Sequence, residues 1–187
     1  MEIKSKDVEK ELDRKKVLLE KIKRAGDENY VTIWDRDTGA IIKQKKKSKI
    51  RKGRKSRASG GQFELRVRKD LEEKGWTVAK WSNNVDLGEK KVIPAKRKFN
   101  PFSKVMTIGT GFPDFIAFQV IDSGGRYNVI GVEVKMNGIL SKLEKEKCQF
   151  LVDRDIFSEI WVAKKKKVKN RVHVEYINFK ERYVEKD

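Results

Sequence analysis

The sequence of 187 residues predicts a mixed α/β fold, in which a central β-sheet is flanked by helices and follows a short N-terminal helix and hairpin. Runs of β-branched and aromatic residues bounded by glycines are typical of strands. Two segments carry the start or stop signals of helices. From Gly60 the predicted order is helix, three strands, helix and two strands, which places helices on the faces of one mixed sheet.

The first helix of this domain is predicted over residues 62–74. Phe63, Val67 and Leu71 recur there at four-residue spacing, so one face is apolar, and a glycine follows the last turn. Residues 76–81 come next and include two tryptophans and a valine. We expect them to form the first strand of the sheet.

Residues 112–136 predict a β-hairpin that carries charged groups. Two apolar runs are joined by a Gly-Gly turn, which is typical of paired strands. Asp114 opens the first strand, and Glu133 and Lys135 lie at the end of the second. Residues two apart on a strand share a face, so Glu133 and Lys135 should emerge together, about 6 to 7 Å apart along the backbone. Such charges are costly to bury, and a metal ion or a partner must compensate them.

Two carboxylates and one ammonium group at one end of a hairpin match the needs of metal-assisted phosphodiester hydrolysis. The carboxylates would hold a hard divalent cation, and the cation and the lysine would polarise water and stabilise charge on the phosphate. The Glu-x-Lys spacing also occurs elsewhere in this highly charged chain, but only Glu133 lies in an apolar strand that follows a Pro-Asp pair. The alternative is an edge hairpin with a surface ion pair.

Pro113-Asp114, followed by Glu133-Val134-Lys135, resembles the two motifs of the PD-(D/E)XK nuclease superfamily. The resemblance implies a restriction-endonuclease-like core of order αβββαββ. It also implies that Asp114, Glu133 and the carbonyl of Val134 bind one or two Mg²⁺ or Mn²⁺ ions, that Lys135 orients the attacking water, and that the product carries a 5′ phosphate.

The start of the domain is similar to that of archaeal Holliday-junction resolvases of the same superfamily. Gly61-x-x-Glu64, a helix, and Lys74-Gly75-Trp76 follow in that order. In those enzymes the helix glutamate joins the metal site, and by position that acid is Glu64; a helix-surface glutamate is the alternative. The resemblance covers about residues 59–179, and the long basic connection 82–110 departs from it.

A second helix is predicted from Ser141, because Ser141 and Glu144 have the spacing of a capping box. In many superfamily members a polar residue of this helix reaches the active site, and the spacing is similar to that of virus-type replication and repair nucleases, which have a glutamine there. Gln149 is the candidate, and a solvent-facing glutamine is the alternative. Strands follow at 159–163 and 172–177, and we expect His173 in the second to be structural.

The balance of charge favours a polyanionic partner. The chain has 46 Lys and Arg against 28 Asp and Glu, a net charge of +18. Such a charge favours nucleic acid, although an anionic membrane surface also fits. No segment approaches the length of a membrane span and the start lacks a signal-peptide core, so we expect a soluble, cytoplasmic protein with no membrane partner. One cysteine and one histidine leave no zinc-ligand set, so a metal site must use oxygen ligands.

The chain should divide into three parts. Residues 1–42 predict a helix and a hairpin, residues 43–58 predict a flexible basic linker that grips phosphate backbone, and residues 59–187 form the nuclease domain. A solvated tail is the alternative for the linker. The candidate nucleic-acid-binding residues, all basic, are Lys45, Lys46, Lys47, Arg51, Lys52, Arg54, Lys55, Arg57, Lys90, Lys91, Lys96, Arg97 and Lys98.

These observations predict a metal-dependent DNA endonuclease that acts on branched or junction DNA in recombination, repair or replication. We expect a homodimer, because cutting two strands with one site per chain commonly uses two-fold pairing. The abundance of Lys, Glu, Ile and Val is typical of thermophiles, which together with the resemblance points to a virus or mobile element of a thermophile. The alternatives are a catalytically inactive or structural nucleic-acid-binding protein and an RNA-associated basic protein. Flaps, single strands and specific duplex sites also remain open as substrates.

Overall fold

The computed structural model describes residues 2–100, 105–108 and 111–184. The chain divides into two compact units, an N-terminal unit of Met1–Ser59 and a C-terminal unit of Gly60–Asp187. The helices are α1 Glu2–Ala25, α2 Lys47–Glu73, α3 Lys142–Asp153 and α4 Phe179–Tyr183. The strands are β1 Tyr30–Trp34, β2 Ile41–Lys46, β3 Thr77–Lys80, β4 Asn83–Asp86, β5 Lys91–Pro94, β6 Arg97–Asn100, β7 Val105–Ile108, β8 Phe115–Val120, β9 Tyr127–Val134, β10 Glu159–Val168 and β11 Arg171–Asn178.

The N-terminal unit consists of α1, the antiparallel hairpin of β1 and β2, and the first part of α2. The helix and the hairpin agree with the expectation for residues 1–42. None of the described side chains of this unit belongs to the buried apolar core. Several large apolar residues of α1 are instead more than half exposed, among them Leu12 and Leu19. A helix with one hairpin buries too little apolar surface to be strongly stable by itself.

The prediction of a flexible linker over residues 43–58 is wrong. Its first residues belong to β2 and the rest to α2, a helix of 27 residues. Composition indicated that this segment cannot be buried, and its side chains are in fact exposed apart from half-buried Gln44 and Ile50. An exposed helix needs no burial, however, and Lys and Arg are good helix formers. The helix also includes Gly53, Gly60 and Gly61, although each glycine costs about 1 kcal/mol of helix stability.

The C-terminal unit is a mixed α/β structure whose five-stranded sheet has the order β11-β10-β9-β8-β3. Neighbouring strands are antiparallel except for β9 and β10, which are parallel and are connected through α3. The mixed sheet with flanking helices is therefore confirmed. The long basic connection between β3 and β8 forms two small hairpins, β4 with β5 and β6 with β7.

Helices cover both faces of this sheet, and the alternation of side chains along the strands assigns the faces. Ile130 and Val132 of β9 pack in one apolar cluster with Phe63 and other residues of α2. On the opposite face, residues of β10 pack in a second cluster with Leu151 and other residues of α3. Glu133 alternates with Val132 along β9, so it points to the face that α3 covers.

Gly131 allows close packing beneath this end of the sheet. A Cβ atom at Gly131 would lie 2.9 Å from Cγ of Pro113 and 3.0 Å from Cδ2 of Phe157. Real Cβ contacts are essentially never shorter than 3.0 Å. The missing side chain therefore lets Pro113, and with it the start of β8, lie directly against β9.

Candidate active site

A cavity of about 400 Å³ opens at the end of the central sheet where β8 begins and β9 ends. Four of the five predicted catalytic residues line it, together with the predicted ligand Val134. The lining residues are Glu64, Asn84, Gly111, Phe112, Asp114, Glu133, Val134, Lys135, Ser141, Leu143, Glu144 and Lys147. The cavity therefore gathers residues from α2, β4, the segment just before β8, the end of β9 and α3.

Strand pairing brings the two central acids together. Phe115 pairs with Val132, so the next residues outward, Asp114 and Glu133, are neighbours on adjacent strands. Oδ2 of Asp114 accepts a 2.9 Å hydrogen bond from the backbone N–H of Val134. This bond fixes the orientation of the Asp114 carboxylate toward the end of β9.

Lys135 lies between two carboxylates. Its Nζ atom is 3.0 Å from Oε1 of Glu133 and 2.6 Å from Oε1 of Glu144. Glu144 is held in turn by the predicted capping box, because its Oε2 accepts a 2.8 Å bond from the backbone N–H of Ser141. The sequence identified Glu144 only as a helix cap. Its position in the first turn of α3, just after the Glu-x-Lys strand, was the available signal that it also reaches Lys135.

Glu64 reaches the cavity from α2, on which Phe63 and Val67 pack into the core. Its Oε2 atom accepts a 2.6 Å hydrogen bond from Nζ of Lys80 on β3. The Lys80 ammonium also lies 4.5 Å from the ring centroid of Phe115. Lys80 therefore supplies a positive charge next to the acids that the sequence analysis did not anticipate.

Gln149 does not lie with the other predicted residues. Its side-chain amide donates a 2.6 Å hydrogen bond to Oδ1 of Asp153, and it lines a different cavity near Lys90. Successive residues of a helix are rotated by about 100°, so Gln149 faces away from the side that Glu144 and Lys147 present. The sequence indicated the correct helix but the wrong face of it.

Lys147 and Asn84 are cavity residues that the sequence analysis missed. Nζ of Lys147 donates a 2.7 Å hydrogen bond to Oδ1 of Asn84 and lies 5.5 Å from the ring centroid of Phe112. Lys147 lies one turn beyond Glu144 on α3, which a helical projection could have shown. Asn84 belongs to the inserted hairpin of β4 and β5, and no sequence signal connects it to this site.

Burial changes the proton affinities of the acids. Burial, and after it the charge of Asp114, raise the pKa of Glu133 to about 8, although Lys135 opposes this change. Burial also raises the pKa of Asp114, although the hydrogen bond from the backbone N–H of Val134 acts to lower it. Burial acts to raise the pKa of Glu144 as well, but the hydrogen bond from Lys135 outweighs it, and the pKa is lowered overall. Burial alone would lower the pKa of Lys135, and its bonds to Glu144 and Glu133 outweigh that effect and raise it.

The donor atoms of the cavity suit a hard divalent cation. Oε2 of Glu133 is buried and has no hydrogen-bond partner among the described residues. An unpaired buried carboxylate oxygen is costly, and a cation would relieve that cost. Carboxylates and a backbone carbonyl are the ligands that Mg²⁺ and Mn²⁺ prefer.

The acids as arranged nevertheless do not form a ready metal cluster. Within residues 2–100, 105–108 and 111–184, no group of three or more His, Cys, Asp or Glu side chains is placed to hold a metal ion. The lysines explain this arrangement, since Lys80 binds Glu64 and Lys135 binds Glu133 and Glu144. Ammonium groups thus supply the positive charge that a cation would otherwise provide.

The predicted nucleic-acid-binding residues lie in exposed positions of both units. Lys45 and Lys46 are in β2, and the six predicted residues from Lys47 to Arg57 are on α2. Lys90 and Lys91 lie at the turn between β4 and β5, and Lys96 and Arg97 lie at the start of β6. The side chain of Lys98 lies outside the described part of the structure.

Comparisons with known proteins give no match to this chain. No protein-family model matches it, and neither a curated protein nor a solved structure does. Among the described residues, no helix is long and apolar enough to cross a membrane. The fold and the cavity themselves define the class, an α/β domain with a carboxylate–lysine cavity at the end of its central sheet.

Proposed function

We propose that this protein is a metal-dependent DNA endonuclease with a PD-(D/E)XK active site. The observation that supports the proposal is that Asp114, Glu133 and Lys135 line one cavity in which a buried Glu133 oxygen has no partner among the described residues. Buried carboxylates with raised pKa values beside a lysine are typical of functional sites.

The residues have distinct roles in the proposed reaction. Asp114, Glu133 and Glu64, with the carbonyl oxygen of Val134, would hold Mg²⁺ or Mn²⁺. Such an ion, when bound, supplies Lewis-acid stabilisation of the charge that develops on the phosphate. The ammonium of Lys135 orients the attacking water and adds positive charge at the reacting phosphate.

We also propose a restriction-endonuclease-like core for the C-terminal unit. Its sheet strands and main helices follow the chain order α2, β3, β8, β9, α3, β10, β11, which is the order αβββαββ when the two inserted hairpins are left out. The parallel pairing of β9 with β10 across α3, within an otherwise antiparallel sheet, is consistent with that core.

Branched or junction DNA, processed in recombination, repair or replication, is the proposed substrate. The Gly61-x-x-Glu64 start of the domain supports this choice, because it resembles that of junction resolvases. The exposed basic residues of both units would contact phosphates on the DNA that flanks the cleavage site. The large positive charge predicts binding that weakens steeply with salt.

A cleavage assay with an inactive variant tests this proposal. The protein is incubated with Mg²⁺ or Mn²⁺ and end-labelled junction, flap, duplex and single-stranded DNA, beside the Asp114→Asn variant. We expect metal-dependent cleavage by the native chain, loss of cleavage in the variant, and DNA binding in both. Equal cleavage by Asp114→Asn would refute the assignment of the site.

A catalytically inactive nucleic-acid-binding protein is the second candidate. The ion pairs of Lys80 and Lys135 favour it, because they occupy carboxylate oxygens that a metal would need. This candidate predicts tight, salt-sensitive DNA binding that does not require Mg²⁺. Isothermal titration of the DNA-free protein with Mn²⁺ separates the two, since only the nuclease should lose its metal binding in Asp114→Asn.

We propose in addition that the protein is a homodimer that pairs through α1. Leu12, Leu18, Leu19 and Ile22 lie within one stripe of this helix, and each is more than half exposed. The first twelve residues of α1 contain five acids and three lysines, whereas the last twelve contain six basic residues and one acid. An antiparallel pair of α1 helices would therefore match acidic with basic halves.

Cross-linking tests the dimer and its direction. In a Cys148→Ser background, Glu11→Cys and Ile22→Cys chains, whose substituted positions lie within this stripe, are mixed under oxidising conditions. Antiparallel pairing predicts mixed 11–22 disulfides and few 11–11 or 22–22 products. A monomer in analytical ultracentrifugation, with an unchanged mass for Leu19→Glu, would contradict the proposed interface.

A further inference from the structure

A second cavity, of about 720 Å³, lies within the N-terminal unit. It is formed by the end of α1, the hairpin of β1 and β2, and the first turns of α2. Its described lining residues are Arg24, Tyr30, Gln44, Lys45, Lys46, Lys49, Ile50, Gly53 and Arg57. Five of these nine are cationic and none is acidic, so the cavity concentrates positive charge on a concave surface.

The α2 wall of this cavity has an open centre between two cations. Lys49, Gly53 and Arg57 recur at four-residue spacing, so they lie on one side of the helix about 6 Å apart along its axis. A Cβ atom at Gly53 would meet no other atom within 4 Å. The glycine therefore avoids no clash, and its lack of a side chain keeps the space between Lys49 and Arg57 open.

The opposite wall is organised around the ring of Tyr30. The guanidinium carbon of Arg24 is 5.9 Å from the ring centroid and Nζ of Lys46 is 5.7 Å from it, distances typical of cation–π contacts. Gln44 ties the hairpin to α1, because its Nε2 donates a 2.7 Å bond to the carbonyl of Lys21. The cations of this wall are thus positioned by the fold before any ligand arrives.

Arg24 is the one lining cation with a described acidic partner, since its Nη2 atom is 2.7 Å from Oε2 of Glu20. No ion pair is described for Lys45, Lys46, Lys49 or Arg57, and the Nε of Arg57 makes only a 3.5 Å contact with the carbonyl of Gly53. Cations gathered in this way repel one another. A ligand with several negative charges would relieve that repulsion.

We propose that this cavity is a preformed binding groove for the phosphate backbone of nucleic acid. An extended phosphodiester chain fits the spacing of cations along α2 and the concave shape of the site. A flat anionic membrane does not, because its surface cannot enter a cavity. Contacts of this kind position the nucleic acid without reading its sequence.

The groove goes beyond the proposed nuclease activity, because binding here needs neither a metal ion nor Asp114. It also replaces the idea of a flexible basic tail with a folded site of defined shape. Filling the groove without changing its charge should therefore weaken binding, whereas a flexible tail would tolerate the same change.

Paired glycine substitutions test the groove. Gly53→Leu fills it at constant charge, and Gly60→Leu is the matched control, since Gly60 also lies within α2 and a Cβ there also meets nothing within 4 Å. Binding of fluorescein-labelled junction and duplex DNA to the full chain is measured by anisotropy in EDTA. We expect at least about tenfold weaker binding for Gly53→Leu and less than about twofold change for Gly60→Leu. Leucine is the better helix former, so both variants should stay folded.

Charge reversal gives an independent measurement. The double variant Lys49→Glu, Arg57→Glu should reduce the slope of log K against log salt by about two, whereas Lys167→Glu, Lys169→Glu, at exposed positions by the β10–β11 turn, should leave it unchanged. Flotation with phosphatidylserine vesicles tests the membrane as the alternative ligand.

Two results would overturn the groove. In the first, Gly53→Leu and the double variant Lys49→Glu, Arg57→Glu bind DNA as tightly as their control variants do. The other is a loss of vesicle binding in these variants while DNA binding is kept. Neither result bears on the nuclease proposal, which is tested separately by metal-dependent cleavage by the native chain and its loss in Asp114→Asn.

Discussion

The carboxylate–lysine cavity of the C-terminal unit and the basic cavity of the N-terminal unit hold charge in opposite ways. In the C-terminal unit, acids and lysines are partly or fully buried and paired, as in the bridge from Lys135 to Glu133 and Glu144. In the N-terminal unit, Lys45, Lys49 and Arg57 are exposed and surround a cavity without acids. Removing a buried paired charge leaves its partner uncompensated, whereas removing an exposed one changes mainly long-range attraction. Substitutions in the first cavity should therefore alter chemistry and stability, and those in the second should alter binding and its salt dependence.

Lys135→Ala should give the largest effect. Loss of the ammonium removes a positive group aimed at the reacting phosphate, and such groups contribute about 10²- to 10³-fold to rate. Single-turnover cleavage of junction DNA in Mg²⁺ measures it, with the exposed Lys142→Ala as the control. DNA affinity should change little in either variant. If Lys135→Ala instead weakened DNA binding and left the cleavage rate unchanged, Lys135 would act in binding, as the cations of the basic cavity do.

Truncation of a leucine should destabilise the protein much more in the C-terminal unit than in the N-terminal unit. Leu151 is fully buried, and Leu151→Ala should reduce the free energy of unfolding by about 2 to 5 kcal/mol. Leu19 is 59% exposed, and Leu19→Ala should change it by less than about 0.5 kcal/mol at low protein concentration. Urea unfolding measures both. A large loss for Leu19→Ala would mean that the N-terminal unit has a core that the exposed stripe of α1 helps to form.

The stability of the metal-free protein should fall as pH rises toward 8. The unfolded chain releases the proton of Glu133 near its ordinary pKa, 4.5, whereas the folded chain retains it until about pH 8. Between those values the unfolded state binds fewer protons, so the free energy of unfolding decreases, by about 5 kcal/mol in all. Above pH 8 this contribution is constant.

Urea unfolding from pH 4.5 to 8.5 measures that decrease. Glu133→Gln should flatten the profile, whereas Glu28→Gln, at an exposed position of the N-terminal unit, should not. Addition of Mg²⁺ at pH 8 should restore stability to the native chain only. An identical slope for the native chain and Glu133→Gln would show that this acid is ionised throughout.

The helix cap should give the smallest effect. Ser141→Ala removes the hydroxyl that accepts from the backbone N–H of Glu144, at a cost of about 1 kcal/mol. The exposed Ser56→Ala, inside α2 of the N-terminal unit, should be neutral or slightly stabilising. Thermal unfolding measures both. A neutral Ser141→Ala would show that the bonds of the Glu144 carboxylate, to Lys135 and to the backbone N–H at position 141, are sufficient to hold the start of α3.

Local patterns were sufficient to predict most of this site. Asp114, Glu133 and Lys135 are set by a hairpin whose strand period and turn are visible in the sequence. Glu64 was predicted by position from the resemblance to junction resolvases, and the apolar spacing of its helix predicted only the helix. Gln149 was misplaced because the rotation of α3 against the sheet depends on packing, which the sequence does not display.

Composition proved a poor guide to secondary structure in the basic segments. It correctly indicated that residues 43–58 are largely exposed to solvent, but the exposed lysines and arginines still form a helix. Likewise the strand predicted over 159–163 is longer than expected, because β10 continues through the basic residues to Val168. Glu175 on β11 explains this extension, since it pairs with Lys164 at 2.7 Å and with Lys166 at 3.0 Å. Ion pairs across strands require a register that only the fold provides.

The carboxylate of Glu144 connects Lys135 to the first turn of α3. One of its oxygens anchors the first turn of α3 through Ser141, while the other holds the amine of Lys135. A phosphate that attracts this amine would loosen one anchor of the helix, so substrate occupancy and fraying of α3 are coupled. Amide hydrogen exchange at the beginning of α3 should then quicken on DNA binding, which makes the helix end a reporter of an occupied site.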